Sequence, residues 1–338
     1  MSLDLNPNQN LKKDEERKIN NSLDRVLITG GFGFIGKVLL RELLKREDIE
    51  SIHIVDNLCN SSVVKDLPSK VSFFNCSVSD FNPTSSYTKI YHLASPVGPA
   101  GVLNYAGKMG PMIITDTYKM AQLALKNNAR LIDISTSEVY GKDPGNIPQK
   151  EDIEKIVPAH ITVRLEYGVS KLASEVSLLN LVRTTDLQVN IIRPFNIVGP
   201  SQSGEVGFVL PRFIKQALEN KPLTVFGDGS QKRTFTSVND FVRAIISIMD
   251  SSLNGEILNV GNPNNLCSVF DLAQLVIKLT SSTSKIELTN PKDIYGSMYE
   301  EAWNKIPDIT KIQTLLGWSP SESIEMIVLE AINIEKKL

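Results

Sequence analysis

The sequence has few of the residues that form metal sites or disulfides. Its three cysteines, Cys59, Cys76 and Cys267, are far apart and form no Cys-x-x-Cys pair, and its three histidines do not cluster. This spacing argues against a disulfide framework and against a Cys/His zinc site, so we expect no bound metal. Unpaired cysteines in odd number are typical of a cytoplasmic protein.

Long apolar runs and an excess of one charge are also missing. No apolar run approaches the roughly 20 residues that a membrane-spanning helix needs, and the first residues lack a signal-peptide-like hydrophobic stretch. The formal net charge is -2, with acidic and basic residues interspersed. We therefore expect neither a membrane nor nucleic acid as a partner. Residues 1–24 are polar and Asn-rich, and we interpret them as a loosely attached tail.

From Arg25 onward, short β-branched runs alternate with longer helical patterns. The runs RVLITG, SIHIVD, VSFFN, KIYHLAS and RLIDIST are typical of strands, and segments such as KVLLRELLKRE between them are typical of helices. This alternation predicts an α/β fold, a doubly wound parallel sheet of Rossmann type, over residues 25–195 with a returning helix around 235–250. After Phe195, frequent Pro and Gly and the brief runs PLTVFG and GEILNVGN predict a smaller substrate-binding α/β domain, mainly residues 196–338.

Residues 25–36, RVLITGGFGFIG, predict a dinucleotide-binding turn. A strand leads into Gly31-x-Gly33-x-x-Gly36 and then a helix, so the backbone can approach a pyrophosphate whose charge the helix N-terminus stabilises. For the glycines alone, a tight turn without a ligand is the alternative. Asp56 ends the second strand, where a carboxylate can bind the adenosine ribose and repel the extra phosphate of NADP. Together they favour NAD.

Tyr167 and Lys171 lie one turn apart in the helical stretch LEYGVSKLASEVSLLNLV. A phenol has a pKa near 10, but an adjacent ammonium and a positively charged nicotinamide both favour the phenolate. Tyr167 can then accept a proton from a substrate hydroxyl. A solvent-facing Tyr and Lys at helical spacing is the alternative, and the dinucleotide loop upstream disfavours it.

The remaining motifs point to a known family. They and the two described above are TGGFGFIG, VDN, YHLASP, STSEVYG, YGVSK, RPFNIVGP and GDGSQKRTF. With these motifs, the chain from Arg25 to about Pro320 resembles the extended short-chain dehydrogenase/reductase family of nucleotide-sugar epimerases, dehydratases and decarboxylases. The resemblance implies transient oxidation of a sugar at C4 by NAD, without net redox change. It implies cofactor contacts by Gly30, Gly31, Gly33, Phe34, Ile35, Gly36, Asp56, Asn57, Ser77, Val78, Leu93, Ala94, Ser95, Tyr167 and Lys171. It also implies a homodimer that forms through the tyrosine helix. The apolar residues of this helix suit such a contact, but an internal core would explain them equally well. These residues are Leu172, Val176, Leu179 and Leu181.

The resemblance assigns catalysis to Thr136, Glu138, Tyr167 and Lys171. Thr136, with Ser137 beside it, would hydrogen-bond the hydroxyl being oxidised, although a Ser/Thr cluster can also merely cap a strand. Simple 4-epimerases usually lack a carboxylate at the position of Glu138, whereas relatives resembling dehydratases or decarboxylases have one. A C4 ketone acidifies the C5 hydrogen and allows elimination, while a C6 carboxylate would instead leave as carbon dioxide.

The residues assigned to the nucleotide sugar are Ser137, Asn196, Arg212 and Arg233. Asn196 matches a family asparagine at the sugar diphosphate, and Arg212 would add positive charge. Arg233 matches an arginine used at the diphosphate or near C5, where a planar guanidinium suits phosphate. A surface salt bridge is the alternative for Arg233.

The sequence departs from the family around the sugar. Ile113 and Asp116 stand where an Asn-x-x-Gly-Thr helix start is usual, the loop 97–112 before them is unusual, and Lys305 replaces an arginine before Pro-Asp-Ile. Resemblance is nearest to UDP-glucuronate decarboxylases, which gives the leading hypothesis. A UDP-hexose or UDP-N-acetylhexosamine dehydratase, a UDP-sugar 4-epimerase and an inactive NAD-binding regulatory protein are the alternatives. Thr136 and the Tyr167/Lys171 pair disfavour the inactive protein, because cofactor binding alone does not require them.

Overall fold

The computed structural model describes residues 23–64, 66–99, 101–141, 147–204, 207–301 and 304–337. Residues 1–22 of the predicted tail lie outside these ranges. Within the described part, no helix is both long enough and apolar enough to cross a membrane.

A parallel sheet forms the centre of the larger unit. Its strands are β1 (Asp24–Thr29), β2 (Ile49–Val55), β3 (Val71–Phe74), β4 (Lys89–His92), β5 (Arg130–Ile134), β6 (Gln188–Pro194) and β11 (Ile257–Val260). Their spatial order is β11-β6-β5-β4-β1-β2-β3, and every neighbouring pair is parallel. This order confirms the predicted doubly wound sheet, in which the strand order reverses between β1 and β4.

Helices cover both faces of this sheet. They are α1 (Phe34–Leu44), α2 (Met109–Asn127), α3 (Val163–Thr184) and α5 (Val238–Asp250). Successive strand residues point to opposite faces, so Ile28 packs with α1 and α5 while Leu27 packs with α2 and α3. The two apolar layers hold the strands in place. They thereby also determine where the residues that follow the strand ends lie.

Strand β11 corrects one prediction. The run GEILNVGN was expected in the smaller unit, but Ile257–Val260 pairs in parallel with β6, with Ile257 opposite Ile191. Helix α5 lies between β6 and β11 in sequence and packs against the sheet. The chain therefore makes a further βαβ crossover from β6 to β11. A short apolar run does not reveal which sheet it joins, because strand pairing is a tertiary contact.

The smaller unit has its own apolar core, around Phe213, Leu272 and Val328. Its elements are β7 (Ile197–Val198), α4 (Val209–Leu218), β8 (Leu223–Phe226), β9 (Lys232–Thr234), β10 (Thr236–Ser237), β12 (Leu266–Ser268), α6 (Val269–Thr280), β13 (Ile286–Thr289), α7 (Pro291–Tyr295) and α9 (Ile324–Glu335). The strands pair two by two, β7 with β10, β8 with β13 and β9 with β12. Helix α8 (Thr310–Leu316) returns to the larger unit, since Ile312 packs in the core beside the sheet.

Candidate active site

A cleft of about 1070 Å³ lies where the carboxyl ends of the sheet strands face the smaller unit. Ligands of open α/β sheets bind at this place, beside the point where strand order reverses. All the site residues predicted from the sequence line the cleft except Gly31 and Lys171, which are buried behind its wall. The structure therefore brings the predicted residues together, although their roles remain predictions.

The glycine loop between β1 and α1 has no room for side chains. Gly30 has a positive φ of 69°, and a Cβ there would lie 2.9 Å from the backbone nitrogen of Ala94. A Cβ on Gly36 would lie 2.6 Å from the carbonyl oxygen of Gly31. Helix α1 starts after Gly33 with no side-chain cap among the described residues, so its first N–H groups remain for a ligand. This cradle fits a pyrophosphate.

Asp56 links the glycine loop to the end of β2. Its Oδ2 accepts a hydrogen bond from the Phe32 N–H (3.0 Å), and its Oδ1 accepts from the Leu58 N–H (2.8 Å) and the Ser61 hydroxyl (3.0 Å). A carboxylate has about four lone-pair positions, so one remains on Oδ2. Asp56 lines the cleft, and this free position fits an adenosine ribose hydroxyl. The wall beside it continues through Asn57, Ser77, Val78, Leu93, Ala94 and Ser95.

The segment after β5 presents hydroxyl and carboxylate groups to the cleft. Thr136 precedes a short 3-10 turn, Ser137–Tyr140, and its Oγ1 accepts a hydrogen bond from the Glu138 N–H (3.1 Å). Thr136 thus caps this turn while it also lines the cleft. Ser137 and Glu138 follow it in the same wall, so the turn directs three polar side chains toward one end of the cleft.

Helix α3 packs against this turn and supplies Tyr167 and Lys171. Lys171 is 2% exposed, and its Nζ donates to the Ile134 carbonyl oxygen (2.7 Å) at the end of β5. Burial raises the pKa of Tyr167 above its ordinary value, while the neighbouring Thr136 hydroxyl lowers it. In the chain by itself the phenol is therefore protonated at neutral pH. Ionisation requires additional positive charge beside it.

Glu138 is surrounded by cations. Its carboxylate contacts the Lys305 ammonium, and its Oε1 lies 3.7 Å from Nη1 of Arg164. Burial by itself would raise the pKa of Glu138, but Arg164, Lys305 and Arg233 lower it to about 2. Burial in turn lowers the pKa of Lys305 to about 8, which Glu138 opposes. The carboxylate is thus ionised at neutral pH, and the ammonium can release a proton.

Arg233 is a buried residue and not part of a surface salt bridge. It is 6% exposed, and its Nη2 donates to Oε1 of Glu301 (3.0 Å). Lys305 is equally buried, and its Nζ lies 3.4 Å from the Ser137 hydroxyl. The lysine that replaces the usual arginine therefore stands beside the predicted catalytic turn.

Asn196 and Arg212 lie farther along the cleft. Asn196 has a positive φ of 40°, and its side-chain amide donates to the Thr234 carbonyl oxygen (3.0 Å). The guanidinium of Arg212 lies 4.0 Å from the ring centre of Phe226, and its Nη2 donates to the Thr224 carbonyl oxygen (3.1 Å). Its Nε and Nη1 have no hydrogen-bond partner among the described residues, so these two groups can donate hydrogen bonds to an anion.

The described residues of the unusual segment 97–112, which are 97–99 and 101–112, border the cleft, as expected. The segment is not a loop throughout, because residues 109–112 form the first turn of α2. Residues of the loop pack with Tyr167 in a small apolar cluster around Val102 and Met109. The carboxylate of Glu166 accepts hydrogen bonds from the backbone N–H groups of Gly107 (2.8 Å) and Gly110 (3.1 Å). The loop is thereby joined to the tyrosine helix. Asp116, one of the departures from the family pattern, also lines the cleft, and burial raises its pKa to about 6.

Sequence reasoning missed Arg164 and Glu301, and it noted Lys305 only as a departure. Arg164 carried one usable signal, since it precedes Tyr167 by three residues and therefore shares its helix face. Glu301 and Lys305 are far from the other site residues in sequence, so only the tertiary fold reveals their contacts with Arg233 and Glu138.

The model of the NAD dependent epimerase/dehydratase family matches residues 26–261. The chain belongs to this family. A curated relative, the UDP-N-acetyl-alpha-D-glucosaminuronate decarboxylase of Bacillus cytotoxicus, is 36% identical over 91% of this chain and 96% of its own length. UDP-glucuronic acid decarboxylase 1 of Danio rerio is 32% identical over 89% of this chain and 70% of its own length.

A solved structure extends the comparison. The UDP-glucuronic acid 4-epimerase of Bacillus cereus, in complex with UDP-glucuronic acid and NAD, superimposes with a TM-score of 0.79 at 26% identity. The match covers 93% of this chain and 99% of the epimerase. Family membership confirms the prediction of an NAD-dependent enzyme in the nucleotide-sugar epimerase, dehydratase and decarboxylase class, and the cleft described above fits that cofactor.

Proposed function

We propose that the protein decarboxylates a UDP-linked glycuronate, such as UDP-glucuronate, through a 4-keto intermediate. The observation that carries this proposal is the ionised Glu138 carboxylate, held by Arg164 and Lys305 beside Thr136 and Tyr167. The decarboxylase names of the two curated relatives support it.

In the first step, Thr136 and Tyr167 act on the C4 hydroxyl. The Thr136 hydroxyl orients it, and Tyr167 accepts its proton. When bound, NAD supplies the hydride acceptor for C4 and a positive charge near the phenol. Lys171, buried behind the wall, adds a second cation on the Tyr167 side of the cleft. Both cations favour phenolate over phenol, which offsets the effect of burial.

The second step uses Glu138 and Lys305. With a ketone at C4, the C5–C6 bond breaks, carbon dioxide leaves, and the bonding electron pair passes to C5 and the C4 carbonyl. The anionic Glu138 repels the substrate carboxylate and so favours its departure. C5 then accepts a proton from Nζ of Lys305, which regains one from solvent. The hydride taken from C4 finally returns to C4, and Tyr167 returns its proton to the C4 oxygen, so the sugar leaves as a pentose without net redox change. Arg164 and Arg233 stay charged, because a guanidinium does not deprotonate at neutral pH.

Dehydration would need a group that donates a proton to the C6 hydroxyl as it leaves. Glu138 is deprotonated at neutral pH and does not carry that proton. Epimerisation of UDP-glucuronate at C4 is the second candidate, supported by the Bacillus cereus epimerase that shares the fold.

Product mass tests the proposal. The NAD-loaded protein is incubated with UDP-glucuronate, UDP-N-acetylglucosaminuronate, UDP-glucose and UDP-N-acetylglucosamine. We expect loss of carbon dioxide from at least one of the two uronates and no change in the neutral sugars. Loss of water from a neutral sugar would favour a dehydratase, and a uronate of unchanged mass with inverted C4 would favour an epimerase. Either result without carbon dioxide contradicts decarboxylation.

We further propose that residues 25–195, with α5 and β11, bind NAD, that residues 196–338 otherwise mainly bind the nucleotide sugar, and that the protein is cytoplasmic. The free state of Cys59, Cys76 and Cys267 supports a reducing compartment. A UDP-linked substrate is supported by the nucleotide sugars in the relatives' names.

A homodimer through α2 and α3 belongs to the same proposal. Leu172, Leu179 and Leu181 pack against the chain's own core, but Val176 is 52% exposed. Tyr118 on α2 is 54% exposed, so each helix offers an apolar residue for a four-helix contact. Light scattering that shows a monomer would contradict the dimer.

A further inference from the structure

Arg164 has an incomplete set of partners. Its Nη1 is buried and has no hydrogen-bond partner in the described part of the chain. The carboxylate nearest to it is Oε1 of Glu138, at 3.7 Å, which is too long for a hydrogen bond. That oxygen is already contacted more closely by Lys305. Arg164 lines the cleft, and its buried Nη1 is a donor that nothing in the described chain satisfies.

Arg164 belongs to a cluster of charged side chains beside the cleft. We call Arg164, Arg233, Lys305, Glu138 and Glu301 the inner charge cluster; each lines the cleft, and salt bridges join Glu138 to Arg164 and Lys305 and join Arg233 to Glu301. It contains three cations and two carboxylates. Glu300 also acts on Arg164, but it is exposed and its carboxylate accepts a hydrogen bond from Thr162. Arg164 shares its nearest carboxylate, Glu138, with Lys305, so its Nη1 is complementary to one further negative charge.

The position of Arg164 indicates which part of a ligand supplies this charge. Residues three apart on a helix are neighbours, so Arg164 lies beside Tyr167, the proposed partner of the C4 hydroxyl. In a glycuronate the carboxylate is attached to C5, the atom next to C4. We propose that Nη1 of Arg164 binds the C6 carboxylate and that Arg164 thereby selects sugar acids over neutral hexoses.

This inference rests on the proposed function and deepens it. A neutral sugar would leave the Arg164 donor unsatisfied, as a site built for a polar group rejects an analogue that lacks it. The carboxylate is lost as carbon dioxide, so Arg164 contacts the substrate and not the pentose product. Its contribution therefore belongs to recognition of the substrate, in contrast to Lys305, which acts on C5.

Ligand binding without turnover tests the inference. In the NAD-loaded Tyr167→Phe background, calorimetry measures Kd for UDP-glucuronate, UDP-glucose and UDP-xylose. We expect UDP-glucuronate to bind about 10- to 100-fold more tightly than UDP-glucose, as for a hydrogen bond to a charged group. Arg164→Gln should bring these two affinities together and leave that for UDP-xylose unchanged. Glu138→Gln should instead increase the affinity for UDP-glucuronate relative to UDP-glucose, because it removes a negative charge that repels the C6 carboxylate.

Arg212→Gln is the matched control. It removes an equally permanent cation from another part of the cleft and should weaken all three ligands by the same factor. Arg164→Lys keeps the charge without the planar fork and should retain part of the preference, which covers the case that Arg164→Gln does not fold. Equal weakening of UDP-glucuronate and UDP-glucose by the Arg164 variants would overturn the inference. Absence of carbon dioxide release with an intact binding preference would instead overturn the proposed function alone.

Discussion

The two walls of the cleft are built by different means. The wall proposed to bind NAD, here called the cofactor wall, consists of backbone groups from one short segment, residues 30–36, together with the carboxylate of Asp56. The wall proposed to bind the sugar, here called the sugar wall, consists of charged side chains from elements far apart in sequence, such as Glu138 after β5, Arg164 on α3 and Lys305 before α8. A backbone cradle tolerates little variation, whereas a single substitution changes the balance of a charge cluster. We therefore expect the fold to determine cofactor use and a few side chains to determine the sugar chemistry.

Removing the proton acceptor where the walls meet should have the largest effect. Tyr167→Phe removes the phenol oxygen while the ring keeps its packing in the cluster around Val102. We expect turnover of the uronate substrate to fall by about 10²- to 10⁴-fold, with NAD affinity retained. Steady-state kinetics and NAD titration measure the two quantities. Unchanged turnover would contradict the catalytic role of Tyr167.

Altering Lys305 should affect only the sugar wall. Its pKa of about 8 means that the ammonium is present below pH 8 and is lost as pH rises through that value, so turnover should decline there. Glu138 stabilises the charge, and Arg164 and Arg233 disfavour it. Lys305→Arg keeps the charge but cannot release a proton, so we expect about 10²-fold lower turnover without the decline near pH 8. A pH profile that keeps this decline in the variant would refute Lys305 as the proton donor.

Altering Asp56 should affect only the cofactor wall. Asp56→Asn retains the size of the side chain but loses the negative charge and one of the oxygens that accept hydrogen bonds from the Phe32 and Leu58 N–H groups. NAD should therefore bind about tenfold more weakly, and repulsion of the NADP phosphate should diminish. The ratio of kcat/KM for NAD and NADP, measured with the same uronate, reports this change. Equal turnover of the two cofactors by the unmodified protein would show that Asp56 does not select NAD.

A buried carboxylate in strand β5 should affect stability. Asp133 is fully buried, and both of its side-chain oxygens are without a partner among the described residues. Burial raises its pKa from 3.8 to about 6, although Lys171 opposes this. The folded chain therefore holds this proton more tightly than the unfolded chain does, and stability is lost as pH rises from about 4 to 6.

Asp133→Asn removes that titration. We expect the free energy of unfolding of the variant, relative to the unmodified protein, to increase by roughly 2 kcal/mol between pH 4 and pH 7. Urea unfolding at the two pH values measures it, with the exposed Asp186→Asn as the matched control. A difference that does not change with pH would show that Asp133 is not the cause.

The sequence predicts the cofactor wall better than the sugar wall. The strand and helix pattern, the glycine turn and the Asp56 position each depend on residues close together in the chain, and the sheet has the predicted parallel, doubly wound form. The pairing of β11 with β6, and the contact of Lys305 with Glu138, depend on the tertiary fold. Arg164 is intermediate, because its helix spacing from Tyr167 is visible in sequence but its unsatisfied donor is not.

The hydrogen bonds of Glu166 restrict how this enzyme can be redesigned. Glu166 immediately precedes Tyr167, and its carboxylate accepts hydrogen bonds from the backbone N–H groups of Gly107 and Gly110. Exchanging the loop for that of another family member would leave this carboxylate without its two backbone donors and would disturb the placement of the phenol. A graft intended to change the accepted sugar should therefore include the first turns of α3, so that the loop and the tyrosine are transplanted as one piece.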